Sequence, residues 1–240
     1  MRIALDTGTP VGFRTARVLL GDSAITHVGV LDPTITTTGR SGLVEDLSTY
    51  DALVSDGTTD HHELIGRCSV EGLPLVLWPD LPGLATGPSH LPVIKGANVA
   101  IGLTAALLAH PTADVTEKDE VRIGWTEPGA PQRTGESMPF PDPIGSVWST
   151  ERSQGRFVAF RDDEWGGAVI EAIGPAGIRI VGVGDHAEYM EAITLAAVAV
   201  LAARGTYQSI IQDASTAPLA LLDEITRLEL DVAAWRSTSE

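Results

Sequence analysis

Six residues near the start of the chain, Asp6, Thr7, Gly8, Thr9, Gly12 and Asp32, are of the types that handle a phosphorylated ligand. Where a strand turns tightly into a helix, glycines let the backbone approach a pyrophosphate. The first helical amides hold the charge, and an acid about 20 residues on holds a ribose 2′-hydroxyl. If Gly12 takes the last place of a G-x-G-x-x-G turn, the first two glycine places fall to Thr7 and Thr9, and Gly8 lies out of register. Asp6 adds a carboxylate where helix amides would meet phosphate. It either repels such a ligand or bonds those amides itself as an internal substitute. On the first reading Gly8 and Gly12 shape a cofactor turn, and Asp32 favours NAD over NADP; on the second there is no cofactor.

Other chemistry-bearing residues have plainer explanations. Thr58 follows an apolar run, Tyr50 to Ser55, at the end of a strand where ligands of open α/β sheets lie, so it is expected beside a nicotinamide. His61 and His62 follow Asp60, but adjacent histidines at a helix start diverge, and Asp60 serves as the cap. His186 stands between Asp185 and Glu188, a place suited to a proton donor and equally to a capping turn. Asp162, Asp163 and Glu164 read as a solvated turn, and the single Cys68 as a buried hydrophobe, so no metal is expected. Neither a Gly-x-Ser-x-Gly elbow nor a Gly-Lys-Ser/Thr phosphate loop nor a His-Glu-x-x-His zinc motif occurs.

The positioning elements read as α/β: a parallel sheet domain of dinucleotide-binding, Rossmann type over residues 1–112, then an α+β domain over 113–204 with a mixed or antiparallel sheet. Strands are expected at Arg2 to Leu5, Ile25 to Leu31, Tyr50 to Ser55, Leu73 to Trp78 and Pro92 to Ile94, with helices over Phe13 to Leu20, Asp60 to Cys68 and Asn98 to His110. Glu120 to Trp125, Phe157 to Arg161, Ala168 to Ile173 and Ile178 to Val183 read as strands of the second sheet. The proline-rich stretch from Thr126 to Gly155 reads as a loop too long for a plain connection. His186 to Arg204 reads as a helix. Leu221, Ile225, Leu228, Val232 and Trp235 recur at helical spacing, so residues 205–240 are expected to carry a last helix that returns to the first domain.

With 43% hydrophobic residues among 240, the chain can bury one large core or two modest ones. A net charge of −16 excludes nucleic acid and anionic membrane surfaces as expected partners. No leader or apolar span is read, so the expectation is a cytoplasmic protein.

The order of parts resembles the dihydrodipicolinate reductase family, with the amino-acid and diamino-acid dehydrogenases behind it. Lys95-Gly-Ala-Asn98-Val-Ala-Ile-Gly102 looks like the family's Asn-containing segment ahead of the hinge helix, and Arg179-Ile-Val-Gly-Val followed by Gly205-Thr-Tyr207 looks like its closing strand, helix and Gly-x-Tyr. The resemblance implies NAD or NADP in the first domain, a small carboxylate or amino-acid-derived substrate in the second, and a homo-oligomer assembled through the second sheet. Asn98 and Arg133 are then substrate-binding candidates, with Glu127, His186 and Lys95 as candidate proton donors. The family's paired loop histidines and lysine are missing from Trp125-Thr-Glu-Pro-Gly-Ala-Pro-Gln-Arg-Thr-Gly135. Reducing a carbon–nitrogen double bond needs a proton beside the hydride, so dihydrodipicolinate itself is not expected to be the substrate. A second class of function stays open: a catalytically inactive scaffold that serves as a binding or assembly subunit.

Overall fold

The computed structural model describes residues 1–32, 39–81, 84, 91–208 and 211–237, and among them the chain divides into two compact units. The first comprises Met1–Gly102 and Glu191–Ala217, the second Leu103–Met190 and Pro218–Glu240. The expected break at residue 112 and the expected return of the whole C-terminus to the first domain therefore differ from this division. Only the segment up to Ala217 joins the first unit.

The first unit is built on a seven-stranded parallel sheet. Its strands are β1 (Arg2–Asp6), β2 (His27–Val30), β3 (Ser41–Leu43), β4 (Ala52–Ser55), β5 (Leu75–Leu77), β6 (Val93–Lys95) and, late in the chain, β13 (Ile211–Asp213). They lie in the order β13-β6-β5-β4-β1-β2-β3, so the direction of winding reverses between β1 and β4. Short strands such as Ala-Leu-Val-Ser are buried throughout because helices cover both faces of a parallel sheet. Ala4, Leu53, Leu64, Cys68, Leu75 and Leu77 fill the core beside β1, β4 and β5.

Helix α1 (Pro10–Gly21) begins with proline at its first position, where the missing N–H is no loss, behind Thr9 as cap. Helix α2 (His61–Glu71) is capped by Asp60 and ends on Gly72 in the left-handed conformation, φ 65°. After β6 the chain winds as a π-helix over Val99–Leu103 before α3 (Thr104–Leu108).

The second unit holds a mixed sheet in the order β14-β12-β11-β7-β10-β9-β8. The strands are β7 (Glu120–Pro128), β8 (Glu136–Pro139), β9 (Ser146–Ser153), β10 (Arg156–Arg161), β11 (Trp165–Gly174), β12 (Gly177–His186) and β14 (Ala233–Ser237). Among the described residues of this sheet, only β7 and β10 pair in parallel. The stretch expected as a long loop is instead largely folded: it supplies β8 and β9, and Met138, Phe140 and Ile144 pack with Phe157, Val169 and Ile180. Gly182 and Gly184 of β12 let this segment pass, since a Cβ there would stand 2.9 Å from Pro141 and 2.7 Å from the Asp142 carbonyl oxygen.

Helix α4 (Ala187–Ala203) is buried over most of its length, in keeping with its alanine and aliphatic run from Leu195 to Ala203. The last helix, α5 (Pro218–Arg227), is shorter than its spacing implied. Glu229 takes a left-handed φ of 67°, the Leu230 amide donates to the Ile225 carbonyl, and the helix closes there. Trp235, expected on the helix, lies in edge strand β14.

Candidate functional site: the closed turn at the carboxyl edge of the parallel sheet

β1 and β4 are neighbours in register, with Asp6 opposite Ser55, so the loops that leave them lie side by side. Each loop carries a buried carboxylate that bonds the other. Asp6 accepts from the hydroxyls of Ser55 and Thr59, each at 2.6 Å, and from the Thr59 amide at 3.2 Å. Asp56, just beyond β4, reaches back to the start of α1. Its Oδ2 accepts from the Gly8 and Thr9 amides at 3.0 and 2.9 Å, and from the Thr7 and Thr9 hydroxyls at 3.0 and 2.8 Å. Its Oδ1 accepts from the Thr58 hydroxyl at 2.6 Å and amide at 3.2 Å.

The internal carboxylate at the amides leading into α1 is thus Asp56, and the expectation that Asp6 would play that part is corrected. Strand β1 ends at Asp6 pointing its side chain across to the β4 loop, whereas Asp56 leaves β4 aimed at the turn. Burial works against the charge of Asp56, which is 3% exposed, but hydrogen bonds from Thr58, Gly8 and Thr9 outweigh it and hold the carboxyl below the usual range.

The other helix starts along this edge are closed in the same way. Asp60 accepts from the His62 and Glu63 amides at 2.9 and 3.3 Å. Glu191 Oε2 accepts from the Val99 amide at 3.0 Å, at the start of the π-helix, and from the Trp78 indole at 2.8 Å. The Gly8, Thr9, His62, Glu63 and Val99 amides therefore face side-chain carboxylates of the same chain, while the Gly12 amide faces Thr9 Oγ1.

The expected site residues fall as follows. Gly8 packs on Thr58: a Cβ there would be 2.7 Å from the Thr58 hydroxyl. A Cβ on Gly12 would be 1.8 Å from Thr7 Oγ1 and 2.2 Å from Asp56 Oδ2, so this glycine is required by the carboxylate's approach. Asp32 lies half-buried just past β2. Asn98 acts on its own helix start, its Oδ1 accepting from the Ile101 amide at 3.0 Å and its Nδ2 donating to the Trp78 carbonyl at 3.1 Å. Lys95 is held between Asp80 and Asp213 at 3.4 and 3.3 Å. A cleft of about 350 Å³ beyond β4 and β5 is lined by Ser55, Thr58, Thr59, His61 and Pro79.

Glu127, Arg133 and His186 belong to the second unit. Glu127 accepts from the Trp125 indole at 3.0 Å and from Arg152 at 2.6 Å. His186 stacks on Trp165 with ring centres 4.3 Å apart and lies 3.7 Å from Glu164. Arg133 is exposed. Sequence reasoning missed Asp56 and Glu191. The available signal for Asp56 was an acid followed by Gly-Thr-Thr at the end of the strand next to β1.

No family model matches the sequence, and no curated protein does. Solved structures do. A homospermidine synthase from Legionella pneumophila in complex with NAD matches at TM-score 0.62 and 7% identity, over 98% of this chain and 91% of that one. An engineered D-amino acid dehydrogenase bound to NADP+ matches at 0.53 and 12%, over 96% and 99%. A dihydrodipicolinate reductase from Paenisporosarcina sp. TG-14 matches at 0.48 and 13%, over 89% and 97%. The chain shares the fold of the first two, each of which was solved with a nicotinamide dinucleotide bound.

That fold implies a dinucleotide at the first turn, and the residues here do not fit one. The Gly8 and Thr9 amides are already bonded to Asp56, and Pro10 has no amide hydrogen to offer. A pyrophosphate there would set its charge against a buried carboxylate in the same space.

Proposed function

We propose that the protein is a binding or assembly subunit built on an oxidoreductase scaffold, rather than a hydride-transfer catalyst. The observation that carries this reading is Asp56 Oδ2 on the Gly8 and Thr9 amides, an in-chain anion at the position where the fold otherwise presents donors to phosphate. Assembly would use the second unit, where β14 ends the sheet as an edge with Trp235 exposed, and the partner would be a second copy. Titration with NADH and NADPH by calorimetry is the test. Neither should saturate the protein up to about millimolar. Micromolar binding of either would reject the reading.

A second reading is favoured by Asp32 past β2 and by the cleft beyond β4 and β5. On it the protein is an NAD-dependent oxidoreductase for a small carboxylate or amino-acid-derived substrate. Asp32 would hold the adenine ribose, Gly8 and Gly12 would shape the turn, and Thr58 would stand by the nicotinamide. Asn98 and Arg133 would bind substrate, and Glu127, His186 or Lys95 would deliver the proton. Asp32→Ala should then weaken NAD binding, and unchanged affinity would remove Asp32 from the site.

A further inference from the structure

We infer that the slot where β9 and β10 part binds a small organic cation, an alkylated ammonium, with Trp148 as its aromatic wall and Asp162 as its counter-charge. The slot lies wholly in the second unit and shares no residue with the turn at β1, so it stands whether or not a dinucleotide binds the first unit.

Strand register opens the slot. β9 and β10 pair at Ser153 with Arg156, Glu151 with Phe157 and Thr150 with Val158, and β9 then turns to β8, pairing from Ser149 to Ser146. Past Val158 the two strands line a cavity of about 210 Å³, with Val147 and Trp148 from β9, Phe160 and Arg161 from β10, and Asp162 just beyond. Pockets for drug-sized ligands run to about 300–1,000 Å³, so this one suits a smaller molecule.

Two groups on this wall lack the partner that their kind has elsewhere in the sheet. Guanidinium groups lie over the rings of Phe157, Trp125 and Phe160, with Arg122, Arg156 and Arg152 at 4.9, 5.8 and 5.9 Å from the ring centres. Trp148 is 49% exposed and has no cation or second ring against it among the described residues. An indole face attracts a cation more strongly than the other aromatic side chains do. The neighbouring carboxylates are spent: Asp163 accepts from Arg161 Nε at 2.8 Å, and Glu127 from Arg152 at 2.6 Å. Those pairs also offset the two guanidinium charges that would repel a cation here. Asp162 has no hydrogen bond or ion pair among the described residues. A compact metal ion needs several oxygens and gains nothing from Val147 or Phe160, and an anion would meet Asp162. An alkylated ammonium uses both open groups, its methyls on the rings and its charge beside the carboxylate.

The test follows the Trp148 indole N–H by NMR of the full chain, assigned with Trp148→Phe, during titration with choline chloride at constant ionic strength. Choline should shift that signal saturably in about the millimolar range, while the signal of Trp235, also exposed, stays in place. The neutral alcohol of the same shape, 3,3-dimethylbutan-1-ol, should bind at least about five-fold more weakly, and Asp162→Asn should weaken choline by about the same factor. No saturable shift up to about 0.1 M, equal affinity for the neutral alcohol, or unchanged affinity in Asp162→Asn would each overturn the inference. So would a Trp148 signal that moves with protein concentration alone, which would give the slot to a second copy. Should Trp148→Phe fail to fold, Asp162→Asn and the neutral alcohol decide by calorimetry.

Discussion

At the scale of single residues, Asp56 sets both the closure of the turn and an acid sensitivity. Its folded carboxyl titrates below the unfolded value of about 3.9, so it contributes stability that is present above that pH. The contribution is lost as pH falls from about 4 through the folded pKa. Urea midpoints measured against pH should therefore drop on the acid side in wild type and drop less steeply in Asp56→Asn; equal slopes would show that Asp56 gains nothing from its bonds. Gly12 gives a test with a definite sign. In a helix Gly→Ala alone stabilises by about 1 kcal/mol, whereas forcing a methyl into a filled space costs about 1–3 kcal/mol. Because the new methyl would overlap both Thr7 and Asp56, Gly12→Ala should lower the urea midpoint. A raised midpoint would mean that the turn is looser than its distances indicate. Burial pushes the Cys68 thiol up to about 12, so native protein at pH 8 should resist iodoacetamide until it unfolds.

At the scale of elements, long apolar or alternating strands were legible and short or proline-flanked ones were not. β11 and β12 could be read from their runs of valine and isoleucine around Pro175 and Gly177, but β3 and β13 have three residues each and show no period. β8 and β9 were hidden by the prolines between them, which belong to a segment packed on β12. Val232 and Trp235 keep helical spacing by coincidence, since the left-handed Glu229 breaks the helix first. The acid and Gly-Thr-Thr after the strand marked the place of Asp56, but its partner could not be read locally, because its role depends on β4 lying beside β1. The same holds for Arg179 on β12, which pairs with Asp119 at 2.6 Å while donating to the Asp114 carbonyl, binding residues 114–119 to the second sheet. Both side chains are almost fully buried. Arg179→Ala would leave the carboxylate without its cation, and a lower urea midpoint is expected; an unchanged midpoint would place the segment's attachment elsewhere.

At the scale of the whole chain, the excess of acids bears on stability as well as on partners. Thirty-two carboxylate side chains stand against 16 lysines and arginines, and several acids are committed to backbone amides, as Asp56, Asp60 and Glu191 are. Acids spent on helix starts are stabilising where they stand, yet each adds to the repulsion felt by the rest. Exposed pairs such as Arg152 with Glu127 offset little of it, because pairs in water are worth about 0–1 kcal/mol. Salt at about 0.5 M shortens the screening length to a few ångströms, which weakens the spread-out repulsion more than the buried contacts at Asp56 and Arg179. The melting temperature should therefore rise between about 0.01 and 0.5 M sodium chloride, and sodium chloride should act before any stabilising effect specific to sulfate is needed. A fall over that range would show that surface ion pairs, not the net charge, dominate the electrostatics of this chain.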